Sequence, residues 1–305
     1  MNHILCGLRL ASDIPLPELP SGNEEDGTPE IEVRQGWVPE HLPDSVHEGP
    51  ILQVGADGAC RYEVTGVAAY LVEEGCRITV QPHMEAHAPD IRLFLLGSVF
   101  GLLCYQRGWL PLHACCMEIG GRAIAISAES GIGKSTLAAT FVRHGYRILA
   151  DDVSVIDAHA PGGPLVIPAI PRIRLWRDVL ETFGLSAGEL EPCRNRMEKF
   201  QLPLPGLFQP DPLPLAAVYH LGRVAEERHA GLSRLTGMAA ADALLLSVYR
   251  RQAGNRMGKG GQILRAVHRL MQLPCLSLCR VHGLDRLDET VALLVSRHEG
   301  KGAAG

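Results

Sequence analysis

The stretch LPLHACCMEIGGRAIAISAESGIGKSTLAATFVRHGYRILADDVSVID, Leu110–Asp157, decides how the rest of the chain is read. It predicts a strand over Leu112–Ile119, a Gly-Gly turn, and a second strand over Ala123–Ser127. A loop follows, then a helix over Lys134–His144, a turn at Gly145 and a strand over Arg147–Ala150. The acidic pair Asp151–Asp152 comes next, ahead of a strand over Val153–Asp157. Antiparallel hairpins are thus mixed with a strand–loop–helix–strand unit.

Gly131, Gly133, Lys134 and Ser135 fit the Walker A phosphate-loop pattern, with Ala128 where the first glycine usually stands. Small residues let successive backbone N–H groups converge on phosphate oxygens, and the following helix aims its positive end at the same point. The loop residues Ser130, Gly131, Ile132, Gly133, Lys134, Ser135 and Thr136 are therefore the candidate nucleotide contacts. Lys134 supplies a point charge to the β/γ oxygens, and the Ser135 hydroxyl is a candidate magnesium ligand. Ala128 is harmless if its backbone is not left-handed.

Asp151 and Asp152 end a strand one helix after this loop, where a carboxylate meets phosphates and metal. Two neighbouring carboxylates allow a division of labour, one on the metal and one taking a proton from an acceptor hydroxyl. His113, just before the phosphate-loop unit, is a candidate for orienting such a carboxylate or sharing its proton.

Upstream, residues 3–90 break into short apolar pieces with turn punctuation, among them ILCGLRLAS, PEIEVRQG, CRYEVTG and CRITVQP, which predict a β-rich N-terminal domain. Ser21–Pro29 reads as an exposed acidic loop, and a buried helix is predicted over Ile91–Arg107. Downstream, Leu202–Leu215 reads as an irregular Pro-rich connection. AAVYHLGRV and PCLSLCRV read as strands. MAAADALLLSVYRRQ, QILRAVHRLMQ and LDRLDETVALLVSRH read as helices, before a frayed GKGAAG tail.

The 305 residues are 46% hydrophobic with a formal charge of −5. That balance gives no global field for nucleic acid or a membrane surface. The N-terminus lacks the pattern of a signal peptide, and the longest apolar run is too short to span a bilayer. Nine cysteines without a CxxC pair read as reduced core thiols in a cytoplasmic protein.

PLH, SGIGKST and GYRILADD resemble the core of the HPr kinase/phosphorylase superfamily, well over Leu110–Val155. GLRLASDIPLPELP and the longer core stretch are similar to HPr-kinase-like proteins of bacterial peptide-tailoring clusters, including lasso peptide kinases. The resemblance implies an α/β fold: a P-loop kinase core of HPr kinase/PEP carboxykinase-like type with a mixed sheet (residues 91–305), after a small β-rich domain (residues 1–90). It implies Asp151 as base, with His113 and Lys134 completing the catalytic centre. Ser135 and Asp152 would hold Mg²⁺, and ATP would be the donor. The acceptor it implies is a serine near the C-terminal end of a ribosomal precursor peptide. Homo-oligomers are known in the family. Two features depart from HPr kinases: Thr136 replaces an acidic residue, and the downstream signature region has no convincing counterpart.

Other cations stand as lesser candidates. Arg172 and Arg174 are equally readable as cations for a moving phosphoryl group or as exposed strand arginines. Arg196, Lys199, Arg250, Arg251, Arg256 and Lys259 read as solvated surface. The competing functional readings are a small-molecule kinase of the shikimate or nucleoside type and a nucleotide-dependent regulatory module. An ABC-type ATPase is disfavoured by the lack of an LSGGQ-like stretch.

Overall fold

Gly120 and Gly121 both take positive φ, 57° and 73°, and close a two-residue hairpin between strands that pair from Ile119↔Arg122 to Ala114↔Ser127. This hairpin lies within the second of two large sheets in the computed structural model. The model describes residues 1–23, 27–194, 198–281, 283 and 286–299. Part of the acidic loop, Arg196 and the GKGAAG tail lie outside the described residues.

The first sheet has eight strands: β1 (Asn2–Leu5), β2 (Leu8–Ser12), β3 (Ile31–Gln35), β4 (Ser45–Glu48), β5 (Leu52–Gly55), β6 (Cys60–Val64), β7 (Ala68–Glu73) and β8 (Arg77–Pro82). Their spatial order is β1-β2-β3-β8-β7-β6-β5-β4. The sheet is mixed, with β3 parallel to both β2 and β8. β4 carries little apolar alternation and was not evident from sequence.

A helical segment crosses from this sheet to the next. It comprises α1 (Pro89–Phe94), a π-turn over Leu95–Val99, and α2 (Phe100–Gln106). Every residue from Leu95 to Tyr105 is buried, because the segment packs on β7 of the first sheet and on β9 (Leu110–Leu112) of the second. A helix apolar on all sides is one enclosed by the core.

The second sheet continues with β10 (Ala114–Ile119), β11 (Arg122–Ala128), β12 (Ile148–Ala150), β13 (Ser154–Asp157) and β14 (Leu165–Ile167). A separate hairpin joins β15 (Arg172–Trp176) to β16 (Lys199–Pro203). The long strand β17 (Leu213–Val224) re-enters the second sheet, followed by β18 (Gly231–Leu235) and β19 (Cys275–Val281). The path runs β12-β10-β11-β17-β14-β13-β9, and β17 also pairs with β19. Both faces are covered, so the strands are nearly continuous apolar runs. Alternation divides them: Ala114, Cys116, Ala123 and Ala125 join the core shared with the first sheet. Cys115, Met117, Ile124 and Ile126 pack instead with α3 (Lys134–Arg143) and α8 (Leu287–Glu299). Each fully buried isoleucine there contributes roughly 1.5–3 kcal/mol.

Three expectations are corrected. The start of the Pro-rich connection is ordered, as β16 takes Lys199–Pro203 against β15. The helix expected over MAAADALLLSVYRRQ is two, α5 (Gly237–Ser247) and α6 (Arg251–Arg256), because Arg250 adopts φ 52° and breaks the run. α7 (Gly260–Leu270) follows, and α4 (Arg177–Thr182) leaves the end of β15. The strand expected over Leu112–Ile119 is interrupted at His113. β9 pairs with β13 and β10 with β11 and β12, so the chain changes partners there. All nine cysteines are free and seven are buried. Among the described residues no helix is long and apolar enough to cross a membrane.

Candidate active site

β10 lies between β11 and β12 and is antiparallel to both. The C-terminal ends of β11 and β12 and the N-terminal end of β10 therefore share one edge. That edge brings together the phosphate loop, Asp151–Asp152 and His113, which the sequence separates by up to a whole helix.

Ala128 closes β11 without a positive φ, so the methyl group in place of glycine causes no strain. Gly131 and Gly133 take φ 84° and 103°, a left-handed geometry that favours glycine. Gly133 caps α3, and Lys134 is buried at its first turn. The Lys134 ammonium lies 3.0 Å from Nε2 of His113, while Nδ1 of His113 lies 3.0 Å from the Asp152 carbonyl oxygen. A carbonyl only accepts, so the ring proton sits on Nδ1, and Nε2 accepts from Lys134. Burial first, and the Lys134 charge second, lower the His113 pKa and keep the ring neutral.

The two carboxylates face different partners. Ser135 Oγ donates to Asp151 Oδ1 at 3.1 Å, and the Arg174 amide donates to Asp151 Oδ2 at 3.0 Å. Arg174 Nη1 donates to Asp152 Oδ2 at 2.6 Å, and His113 Nδ1 is 3.4 Å from Asp152 Oδ1. Asp152 adopts φ 76°, a conformation costing on the order of 1–3 kcal/mol for a residue with a side chain. This reversal turns the two side chains apart, so Asp151, not Asp152, stands beside Ser135. Of the expected metal pair, Ser135 and Asp152 line one cavity, while the carboxylate hydrogen-bonded to Ser135 is that of Asp151. Burial works to raise the Asp152 pKa, but Arg174, His113 and Lys134 outweigh it and hold the carboxyl below the usual range.

A cavity of about 320 Å³ opens over this edge. Ser130, Gly131, Gly133, Lys134, Ser135 and Thr136 line it, as do His113 and Asp152. Ile132 instead packs its side chain against the core, and Asp151, bonded to Ser135, is not among the lining residues. Arg174 is buried and paired rather than exposed. Lys199 corrects the solvated-surface reading: it begins β16, lines the cavity and sits 5.8 Å over the Trp176 ring. Arg250 is bonded to Ser98 and is not among the lining residues.

Arg223 and Arg280 also line the cavity, and sequence reading missed both. The available signal was weak: a lone arginine at the C-terminal end of an otherwise apolar strand, which is where α/β sheets place ligands. Among the described residues no cluster of three or more His, Cys, Asp or Glu could hold a metal. The donors on hand for a cation are the Ser135 hydroxyl, the Asp151 carboxylate bonded to it, and the Asp152 carboxylate that lines the same cavity. That set suits a magnesium ion carrying water and nucleotide oxygens.

No family model matches the chain. HPr kinase/phosphorylase of Lactobacillus delbrueckii subsp. bulgaricus is 34% identical over 85 residues, covering 25% of this chain and 26% of that protein. A putative HPr kinase/phosphorylase 2 of Oceanobacillus iheyensis is 45% identical over 47 residues, 15% of each chain. The chain carries an HPr kinase/phosphorylase-like stretch. A third HPr kinase/phosphorylase, from Exiguobacterium sp., is 26% identical over 135 residues, 41% of each. The chain thus spans about a quarter of the length of the first of these HPr kinase/phosphorylase relatives. The solved HPr(Ser) kinase/phosphatase from Coxiella burnetii aligns with 64% of this chain and 99% of its own, at 13% identity and a TM-score of 0.35, too distant to bear on the fold.

Proposed function

We propose that this protein is an ATP- and Mg²⁺-dependent kinase that phosphorylates a serine hydroxyl, near the C-terminal end, of a ribosomal precursor peptide of the lasso type. The observation that carries the phosphoryl-transfer part is the contact of Lys134 with neutral His113 beside Asp152, at the rim of a glycine loop. The peptide acceptor rests on the sequence resemblance.

In this reading the loop amides and Lys134 bind the β- and γ-phosphates and stabilise charge as it moves. Mg²⁺ held by Ser135 and Asp151 would offset charge on the β/γ oxygens. Asp152 faces the cavity and takes the acceptor proton, with His113 fixing its position. The serine oxygen bonds to the γ-phosphorus as the bond to the β–γ bridging oxygen breaks. The electron pair of that bond leaves with the diphosphate. Residues 91–305 carry this chemistry, and residues 1–90 serve acceptor binding. Lys134→Ala tests the nucleotide half: Mg·ATP binding and transfer should be lost together, and intact binding would refute the loop's assignment.

A further inference from the structure

The strand order of the second sheet sorts the charges around the phosphate loop into two groups. β10 and β12 lie on one side of β11 and supply His113, Asp151 and Asp152. β17 and β19 lie on the other side, run parallel to β11 and to each other, and end at the same edge. β17 continues past Leu221, the partner of Ala128, to Arg223, and Arg223 is the register partner of Arg280 on β19.

Arg223 Nη2 donates to the Gly131 carbonyl at 2.8 Å and Nε to the Ile132 carbonyl at 3.2 Å. A phosphate loop turns its N–H groups inward and its carbonyls outward, so these bonds brace the outer side of the loop. Arg280 Nη1 donates to the Gly283 carbonyl at 2.9 Å. Its Nη2 lies 2.9 Å from where a Cβ on Gly133 would stand, so that glycine leaves the guanidinium room against the start of α3. Arg280 is only 7% exposed, and among the described residues its Nε has no partner. Among the described residues neither arginine has a carboxylate within ion-pair distance. Burial first and Arg223 second lower the Arg280 pKa, the mark of a cation without a counter-ion. Two adjacent unneutralised guanidiniums, one of them buried, are costly unless an anion joins them.

In-line transfer fixes which anion. The attacking oxygen and the leaving oxygen stand on opposite sides of the phosphorus. With the proton acceptor on the β10/β12 side, the leaving group lies toward β17 and β19. We propose that Arg223 and Arg280 form the subsite for the α- and β-phosphates of the nucleotide, the group that departs as diphosphate. This assignment rests on the kinase reading for its direction, but it makes a binding claim that needs no acceptor.

Calorimetry with Mg·ADP and, separately, with inorganic phosphate tests it on the full chain. Arg223→Gln and Arg280→Gln should each weaken Mg·ADP by on the order of 10- to 100-fold. Arg223→Lys should recover much of the loss, because it keeps the charge while giving up the two-pronged brace on the loop carbonyls. Arg280 is buried and its variant can unfold, whereas Arg223 is exposed, so the Arg223 pair decides the matter. Wild-type ADP affinity in Arg223→Gln overturns the subsite. So does an Arg223→Lys variant as weak as Arg223→Gln, which reduces Arg223 to a brace. Loss of phosphate binding with intact ADP binding also overturns it, since the pair then takes a free oxyanion. ADP affinity that depends on Arg223, in a protein that phosphorylates no peptide, leaves the subsite standing and removes the peptide-kinase reading.

Discussion

Lys134 Nζ lies 3.0 Å from Nε2 of His113, a hydrogen bond that exists only while the imidazole is neutral. Lys134 is thus held beside the candidate base by an imidazole whose pKa is lowered, first by burial and then by Lys134 itself. On the proposed kinase reading, the contact would link the nucleotide half of the site to the acceptor half.

That bond gives stability a pH dependence of known sign. The His113 pKa is lowered in the folded chain, first by burial and then by Lys134. Its stabilisation is therefore complete above the unfolded value of about 6.5 and is lost as pH falls through the lower folded value. Glutamine at this position can accept from Lys134 at any pH. The melting temperature of wild type minus that of His113→Gln should therefore fall between pH 7.5 and pH 5. A difference that stays constant with pH would show that His113 does not titrate against Lys134.

The two aspartates should fail differently. Asp152→Asn keeps a residue that tolerates positive φ, so folding and ATP affinity should hold within ~3-fold while transfer drops by ~10²-fold or more. Asp151→Asn should instead raise the Mg²⁺ concentration needed for half-maximal activity, by on the order of tenfold or more if the carboxylate beside Ser135 serves the metal. Steady-state kinetics at varied Mg²⁺ separates them. The reverse pattern would return the base to Asp151, the reading suggested by sequence resemblance.

A buried ionic group ties the segment after β2 to the β15–β16 hairpin. Glu18 accepts from Arg92 at 2.9 Å and pairs with Arg172 at 3.5 Å, all three side chains being less than a tenth exposed. Glu191 also pairs with Arg92. Burial first and Arg174 second pull the Arg172 guanidinium down to about 10. Removing the carboxylate leaves the buried Arg172 without its counter-ion and Arg92 with Glu191 alone, so Glu18→Ala should cost ~3–5 kcal/mol in denaturant unfolding. A loss below about 1 kcal/mol would mean that water compensates the arginines. Deleting residues 1–90 would break this contact and open the core shared by both sheets.

What was legible in the sequence was what is local. The phosphate loop, its helix and the Asp151–Asp152 pair lie in one contiguous stretch, and their spacing reveals them. Ala128 could be judged only once its φ was known. Arg223 and Arg280 were invisible because their meeting depends on parallel pairing of strands far apart in the chain. Arg174 was ambiguous and Lys199 read as surface for the same reason: β15 and β16 are more than twenty residues apart in the chain, and only their pairing brings both side chains to the cavity. The different partners of the two aspartates go with the positive φ of Asp152, which two identical neighbouring letters do not signal.

The most direct test of the kinase account is intact-mass spectrometry. A serine-ended precursor peptide from a neighbouring reading frame would be incubated with the protein and Mg·ATP, beside a Ser→Ala control. The account predicts a phosphate-sized mass gain on the serine peptide and none on the control. An unchanged mass, in a protein that still binds Mg·ATP, would contradict it and point to a small-molecule acceptor or a nucleotide sensor.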